Sequence, residues 1–339
     1  MRFPRLLLFA CMLLVASCSD STDENASLGV SFYTPEGFPE PSYNLQYNPL
    51  SANRFLLGKK LFYDPVLSID STVSCGSCHQ QFVAFANSEH RFSHGVNNQF
   101  GVRNAPALFN LAWNPEFFWD GGSHSLEMQP LGPITNPVEM ADNLPNVLNK
   151  LKRSQTYPSL FRSAFGTDTI TTDRLVKSLA LFMAVLISDN SKYDFYRRGE
   201  ATLTSAEMRG LNLFRANCAS CHKEPMLSDY SYRNNGLDSL FVRDAGRAHI
   251  TNLPQDSGKF KVPSLRNIVL TKPYMHDGRF NSLSQVLDHY TMRIKQSATL
   301  DPILVGGIQL SNAERSDLIA FLNTLTDYRF VNNKKFSED

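Results

Sequence analysis

The sequence predicts a mainly α-helical protein of two related units, with few and short strands. Three observations carry this. The pattern Cys75-Gly76-Ser77-Cys78-His79 recurs as Cys218-Ala219-Ser220-Cys221-His222. Each copy follows a similar helix-like lead, Gly58-Lys59-Lys60-Leu61-Phe62 before the first and Gly210-Leu211-Asn212-Leu213-Phe214 before the second. Between the copies, Asp173 to Ile187 has the apolar content of a largely buried helix. A chain of 339 residues also exceeds what one core usually fills, since domains run at about 100–150 residues.

The N-terminal end reads as an export signal. Arg2 and Arg5 precede the apolar run from Leu6 to Val15, which is shorter than the ~20 residues of a bilayer span but suits a signal peptide. Val15-Ala16-Ser17-Cys18 resembles a bacterial lipobox, in which Cys18 is lipidated and begins the mature chain; ordinary cleavage near Ala16 is the alternative. Acyl chains contribute ~0.8 kcal/mol per buried CH₂ and would hold the protein on a membrane. The expected location is therefore outside the cytoplasm, as a periplasmic or cell-surface lipoprotein.

The expected organisation is a signal peptide at 1–17, a polar tether at 18–45, a first unit at 46–190 and a second at 200–335. Ser19 to Ser27 is polar and poor in apolar residues, as a solvated tether would be. The polar run Asp189 to Glu200 is where the units should divide. Thr204-Ser205-Ala206-Glu207 is a capping box opening the helix before the second motif. A formal net charge of +1 without a basic block argues against nucleic-acid binding. No segment beyond the N-terminal run is apolar for long enough to span a membrane.

All six cysteines find a place. Cys11 leaves with the signal, Cys18 takes lipid, and Cys75, Cys78, Cys218 and Cys221 form the two pairs, so none remains for a disulfide. In C-x-x-C-H both thiols can add to haem vinyl groups and the next histidine can ligate iron. A shared four-cysteine zinc site wants ~15–20 residues between pairs, far fewer than separate Cys78 from Cys218. A thioredoxin-type pair needs a βαβ setting and no following histidine. Disulfides between residues this close would be strained. The reading is two covalently bound haem c groups, with His79 and His222 as proximal ligands.

Around these motifs the chain resembles the bacterial dihaem cytochrome c peroxidase and MauG-like family over nearly all of its mature length. The blocks that carry the resemblance are Gly101-Val102-Arg103-Asn104-Ala105-Pro106, Phe118-Trp119-Asp120-Gly121, Leu126-Glu127-Met128-Gln129 and Pro137-Val138-Glu139-Met140. In the second half they are Lys259-Phe260-Lys261-Val262-Pro263-Ser264-Leu265-Arg266-Asn267 and Pro273-Tyr274-Met275-His276-Asp277-Gly278. The resemblance implies two cytochrome c-like domains. It makes Trp119 the relay between the haems, where a lone tryptophan is otherwise a core aromatic. It places Glu139 and Gln129 in the distal pocket of the first haem, as proton carrier and hydrogen-bonding amide. Without it, Glu139 would read as a solvated surface acid. Asn104, Thr271 and Pro273 match positions that supply oxygens to a calcium ion, two of them through backbone carbonyls.

The distal ligands decide which chemistry follows, since an open iron binds peroxide and a closed one passes electrons. His94, followed by Gly95, resembles the distal histidine of the peroxidases; His90 is the weaker candidate. On the second haem the peroxidases carry a methionine where Tyr290 stands here, and a tyrosine at this place resembles MauG. A phenolate oxygen favours ferric iron, whereas a thioether favours ferrous iron. Met292, or no protein ligand, is the alternative. The implied function is reduction of hydrogen peroxide at the N-terminal haem, with electrons relayed from the C-terminal haem. The partner is a small redox protein or an oxidisable protein substrate, and a homodimer is expected by resemblance. The alternatives are a MauG-like oxidase of a protein substrate, a non-catalytic dihaem electron-transfer protein, and a haem-based sensor.

Overall fold

The computed structural model describes residues 29–88 and 90–338. The signal peptide at 1–17, Cys18 and residues 19–28 of the tether lie outside the described residues. The first unit contains α1 (Ala52–Tyr63), α2 (Cys75–Cys78), α3 (Leu131–Thr135), α4 (Leu144–Arg153), α5 (Tyr157–Phe165) and α6 (Thr172–Ala184). The second contains α7 (Lys192–Arg197), α8 (Ser205–Asn217), α9 (Ala248–Thr251), α10 (Leu283–Asp288) and α11 (Asn312–Asn323), and α12 (Tyr328–Val331) follows. Two-residue strands β1 (Tyr232–Arg233) and β2 (Phe260–Lys261) pair antiparallel. The fold is mainly helical, as the sequence predicts.

The repeated lead is a repeated helix crossing. α1 crosses α6 at Gly58, where a Cβ would lie 2.1 Å from the Ser178 carbonyl oxygen and 3.0 Å from Phe182 Cβ. α8 crosses α11 at Gly210 in the same manner, 2.0 Å from the Asp317 carbonyl oxygen and 2.8 Å from Phe321 Cβ. One turn after each glycine an aromatic pair seals the crossing. Phe62 meets Phe182 at 5.0 Å between ring centroids, and Phe214 meets Phe321 at 5.1 Å. The capping box is present: Thr204 Oγ1 accepts from Glu207 N at 3.3 Å, and Glu207 Oε2 accepts from Thr204 N at 2.7 Å.

Three expectations need correction. α6 stops at Ala184 rather than reaching Ile187, because Asn110 takes over the backbone beyond it. Its N–H donates to Leu186 O at 2.8 Å, and its amide bonds both Ser188 N and Ser188 O. The polar run after it is not wholly exposed. Tyr193 and Asp194 are buried on α7, and Asp194 forms a buried ion pair with Arg266 through two contacts of 2.9 Å. Nor is 18–45 all tether, since Phe32 and Phe38 flank Trp113 at 5.8 and 5.3 Å, and Trp113 Nε1 donates to Pro39 O at 2.8 Å. Finally, the last part of 200–335 leaves the second unit. Phe330 and Val331 belong to the first core, and Tyr63 Oη donates to Phe336 O at 2.6 Å.

Candidate functional site

The first attachment motif is built by local capping. Ser74 and Ser77 form a reciprocal capping box that holds Cys75–Cys78 as one helical turn. Gly76 fits there because a Cβ would come within 2.5 Å of the Tyr63 ring. His79 follows with Nδ1 2.9 Å from the Phe85 carbonyl oxygen. A carbonyl only accepts, so Nδ1 carries the proton and Nε2 keeps its lone pair. Burial pushes the His79 imidazole down to about 4, so the ring is neutral near pH 7, as a metal ligand must be.

The second motif repeats the device from another helix. Cys218 caps α8, and His222 Nδ1 lies 3.1 Å from Leu227 O and 3.2 Å from Pro263 O. Burial lowers its pKa as well. In both motifs a backbone carbonyl orients the ring, the second interaction expected of a metal-bound histidine. Both line one continuous, largely apolar cavity of about 1230 Å³, beyond the roughly 300–1,000 Å³ of a single small-ligand pocket. Thiol pairs, neutral imidazoles and one large apolar cavity fit two haem c groups.

Trp119 lies on this wall where the units meet. Its Nε1 donates to Asn104 O at 2.8 Å, and its own carbonyl accepts from Lys261 N at 2.7 Å. Lys261 Nζ in turn donates to Glu116 O at 2.7 Å, and burial pushes this ammonium down to about 8. Arg103 ties the same seam, reaching Asp120 at 2.6 Å in the first unit and Asp244 at 2.6 and 2.8 Å in the second. The tryptophan is therefore clamped from both sides.

Glu139 and Gln129 line the cavity with His79. Glu139 Oε1 accepts from Asn136 Nδ2 at 2.7 Å, and burial raises its pKa above the usual carboxylate range despite that bond. The loop bearing His94 is fastened to Glu139: Val96 N donates to Glu139 O at 2.8 Å, and a Cβ on Gly95 would lie 2.2 Å from Val138 O. The glycine after His94 thus serves close backbone approach. His94 also lines the cavity, but it is exposed and its Nδ1 bonds Asn98 Oδ1 at 2.9 Å. His90 is exposed, 4.9 Å from His94 between ring centroids.

The second half of the cavity separates the two candidates there. Tyr290 lines the cavity, and burial pushes its phenol up to about 12. Met292 is 70% exposed and is not among the cavity-lining residues, so its side chain faces solvent here. Both residues lie in the π-turn His289–Arg293, and positions two apart on a helix face different ways. The sequence reading missed Met275, which lines the cavity with its sulfur 3.5 Å from Asn235 Nδ2. Its place inside the block 273–278 was the available signal. Asn104, Thr271 and Pro273 share the wall. Asn104 Nδ2 donates to Arg91 O at 3.1 Å, and among the described residues no group of three or more His, Cys, Asp or Glu could hold a metal.

Comparison with known proteins places this geometry. A family model described as di-haem cytochrome c peroxidase matches residues 52–202, and one described as cytochrome c matches 207–326. The chain is 36% identical to the methylamine utilization protein MauG of Methylorubrum extorquens over 320 residues, covering 91% of this chain and 87% of that protein. It is 35% identical to the cytochrome c551 peroxidase of Nitrosomonas europaea over 287 residues, covering 82% and 81%. A crystal structure of a MauG-like protein associated with microbial copper homeostasis superposes with a TM-score of 0.83 at 32% identity, covering 91% of this chain and 98% of that one.

Proposed function

The chain belongs to the di-haem cytochrome c peroxidase family, MauG-like proteins included, and from that premise we propose that it reduces hydrogen peroxide at the haem held by Cys75, Cys78 and His79. Haem c, when bound, supplies an iron that takes peroxide as a ligand and passes electrons to it. The observation that carries the reading is the half-buried Glu139 carboxyl, on the same cavity wall as Gln129 and His79. Held at one oxygen by Asn136, Glu139 is placed to take a proton from one peroxide oxygen and return it to the other. Gln129 offers an amide to the departing oxygen. Trp119, clamped between Asn104 O and Lys261 N, carries electrons across from the second site.

Tyr290 favours a second reading alongside this one. A phenolate oxygen on the second haem favours ferric and higher states, which suits oxidation of a protein substrate at the surface over supply from a small redox protein. We also propose a calcium ion held by Asn104, Thr271 and Pro273, lipidation of Cys18 that places the protein in the periplasm or on the cell surface, and a homodimer.

The test is a peroxide titration of the half-reduced, purified protein followed by its spectrum. A changed spectrum for the first haem supports the proposal; two haems that stay six-coordinate and unresponsive in every redox state sink it. Glu139→Gln should slow turnover by roughly 10²–10⁴-fold with both haems retained. An unaffected rate removes Glu139 from the reaction.

A further inference from the structure

Two candidate iron ligands of different chemistry face the second half of the cavity, and one side chain stands between them. Asn235 Nδ2 lies 3.5 Å from Tyr290 Oη and 3.5 Å from Met275 Sδ. That separation is ordinary for a donor to sulfur and at the long end for a donor to oxygen. A thioether only accepts, so the NH₂ rather than the carbonyl of the amide faces it. One NH₂ has two hydrogens and serves both neighbours.

The scaffold aims this amide independently of those contacts. The Asn235 backbone carbonyl accepts from His289 Nε2 at 2.9 Å. Asn234 beside it is tied by its amide to Ser297 and Thr299, each at 2.9 Å, and its Oδ1 accepts from Gly236 N at 2.9 Å. Tyr290 sits in a π-turn, a form frequent at functional sites. Met275 has φ +75°, a conformation unfavourable for a non-glycine residue that persists where the surroundings impose it.

We propose that Asn235 is a positioning residue that commits the sixth position of the second haem to Tyr290 and withholds Met275 from it. The proposal rests on the reading of Tyr290 as that ligand. A donor beside a ligating oxygen stabilises the charge it carries when bound. The same donor occupies a lone pair of the sulfur. Because hard oxygen and soft sulfur favour opposite iron oxidation states, this amide sets the direction in which the second haem is poised.

The experiment uses the full dihaem protein with Asn235→Leu and the isosteric Asn235→Asp, both checked for two haems per chain. The ferric spectrum and the midpoint potential of the second haem are measured. Both variants should lose the phenolate charge-transfer absorption, gain a thioether–ferric band and shift to higher potential. Adding Met275→Leu should abolish the new band. Wild-type spectrum and potential in Asn235→Asp overturn the proposal, and a second haem that turns high-spin in both variants refutes the withholding of Met275. Tyr290→Phe separates the two levels. If it leaves the spectrum unchanged, the ligand reading itself falls. If it changes the spectrum while the Asn235 variants do not, only the role of Asn235 falls. Peroxide reactivity at the first haem enters none of these readouts.

Discussion

Replacing Gly210 by alanine sets two forces of opposite sign against each other. Intrinsic helix propensity favours alanine over glycine by about 0.8–1 kcal/mol, so a helix that merely contained a glycine would be stabilised. In the structure the new methyl would lie 2.0 Å from the Asp317 carbonyl oxygen, 2.7 Å from its carbon and 2.8 Å from Phe321 Cβ. The first two are backbone atoms of α11 and cannot rotate away. Relief requires α8 and α11 to move apart, which loosens the Phe214–Phe321 contact as well. Overpacking of this kind costs about 1–3 kcal/mol, and the backbone clash puts it at the upper end. Subtracting the propensity gain leaves a net loss of about 2 kcal/mol, roughly 30-fold in a folding equilibrium. Because Cys218 caps α8, the shift should also disturb the second haem's spectrum while sparing the first. Denaturant unfolding and spectra of the Gly210→Ala variant measure both. A variant stabilised by about 1 kcal/mol, with native spectra, would refute the close crossing.

Three further outcomes are expected. Arg266→Met strands Asp194 in the core and should cost about 3–5 kcal/mol in denaturant unfolding. Burial pushes the Asp194 carboxyl up, but Arg266 and Ser191 together hold it below its ordinary value. This contribution is therefore present above the unfolded pKa near 3.9 and lost as pH falls through the folded value, which an acid titration of stability measures. Peroxide turnover should fall as pH drops through the raised pKa of Glu139, since proton acceptance needs the carboxylate. That acidic limb should lie above the usual carboxylate range and disappear in Glu139→Gln. Met292→Leu, at an exposed position, should leave the second haem's spectrum unchanged and stability within about 0.5 kcal/mol; a spectral change would return Met292 to the ligand set.

The parts legible in the sequence were those whose chemistry is local. C-x-x-C-H is a contiguous chemical unit, the Thr204 capping box closes within one turn, and the glycine and phenylalanine of each lead recur at fixed spacing. The reason for those glycines was not legible, because the atoms that exclude a side chain at Gly58 and Gly210 belong to Ser178 and Asp317, distant in the chain. Met292 was weighed against Tyr290 because the residues alone do not say which of two nearby positions faces the cavity. Met275 and Asn235 were missed for a related reason: a loop and a left-handed backbone residue bring them together. The segment from Val30 to Tyr43 reads as tether by sequence position, yet Phe32 and Phe38 find a partner in Trp113, which no local pattern announces.

Both described ends of the chain lie on the first unit. Phe32 and Phe38 enclose Trp113, while Phe330 packs against Phe85 at 5.7 Å and Phe336 accepts a hydrogen bond from Tyr63, the tyrosine that also crowds Gly76. The unit that comes first in the chain is thus completed by residues that come last. During synthesis, where domains generally fold from the N-terminus as units, this one gains its last contacts only after the second unit has emerged. Its cysteine pair is presented on an unfinished domain, whereas the second pair sits in a unit with its own core from Tyr193 to Leu325. Loss of the final ten or so residues should therefore weaken the pocket most distant from them in sequence.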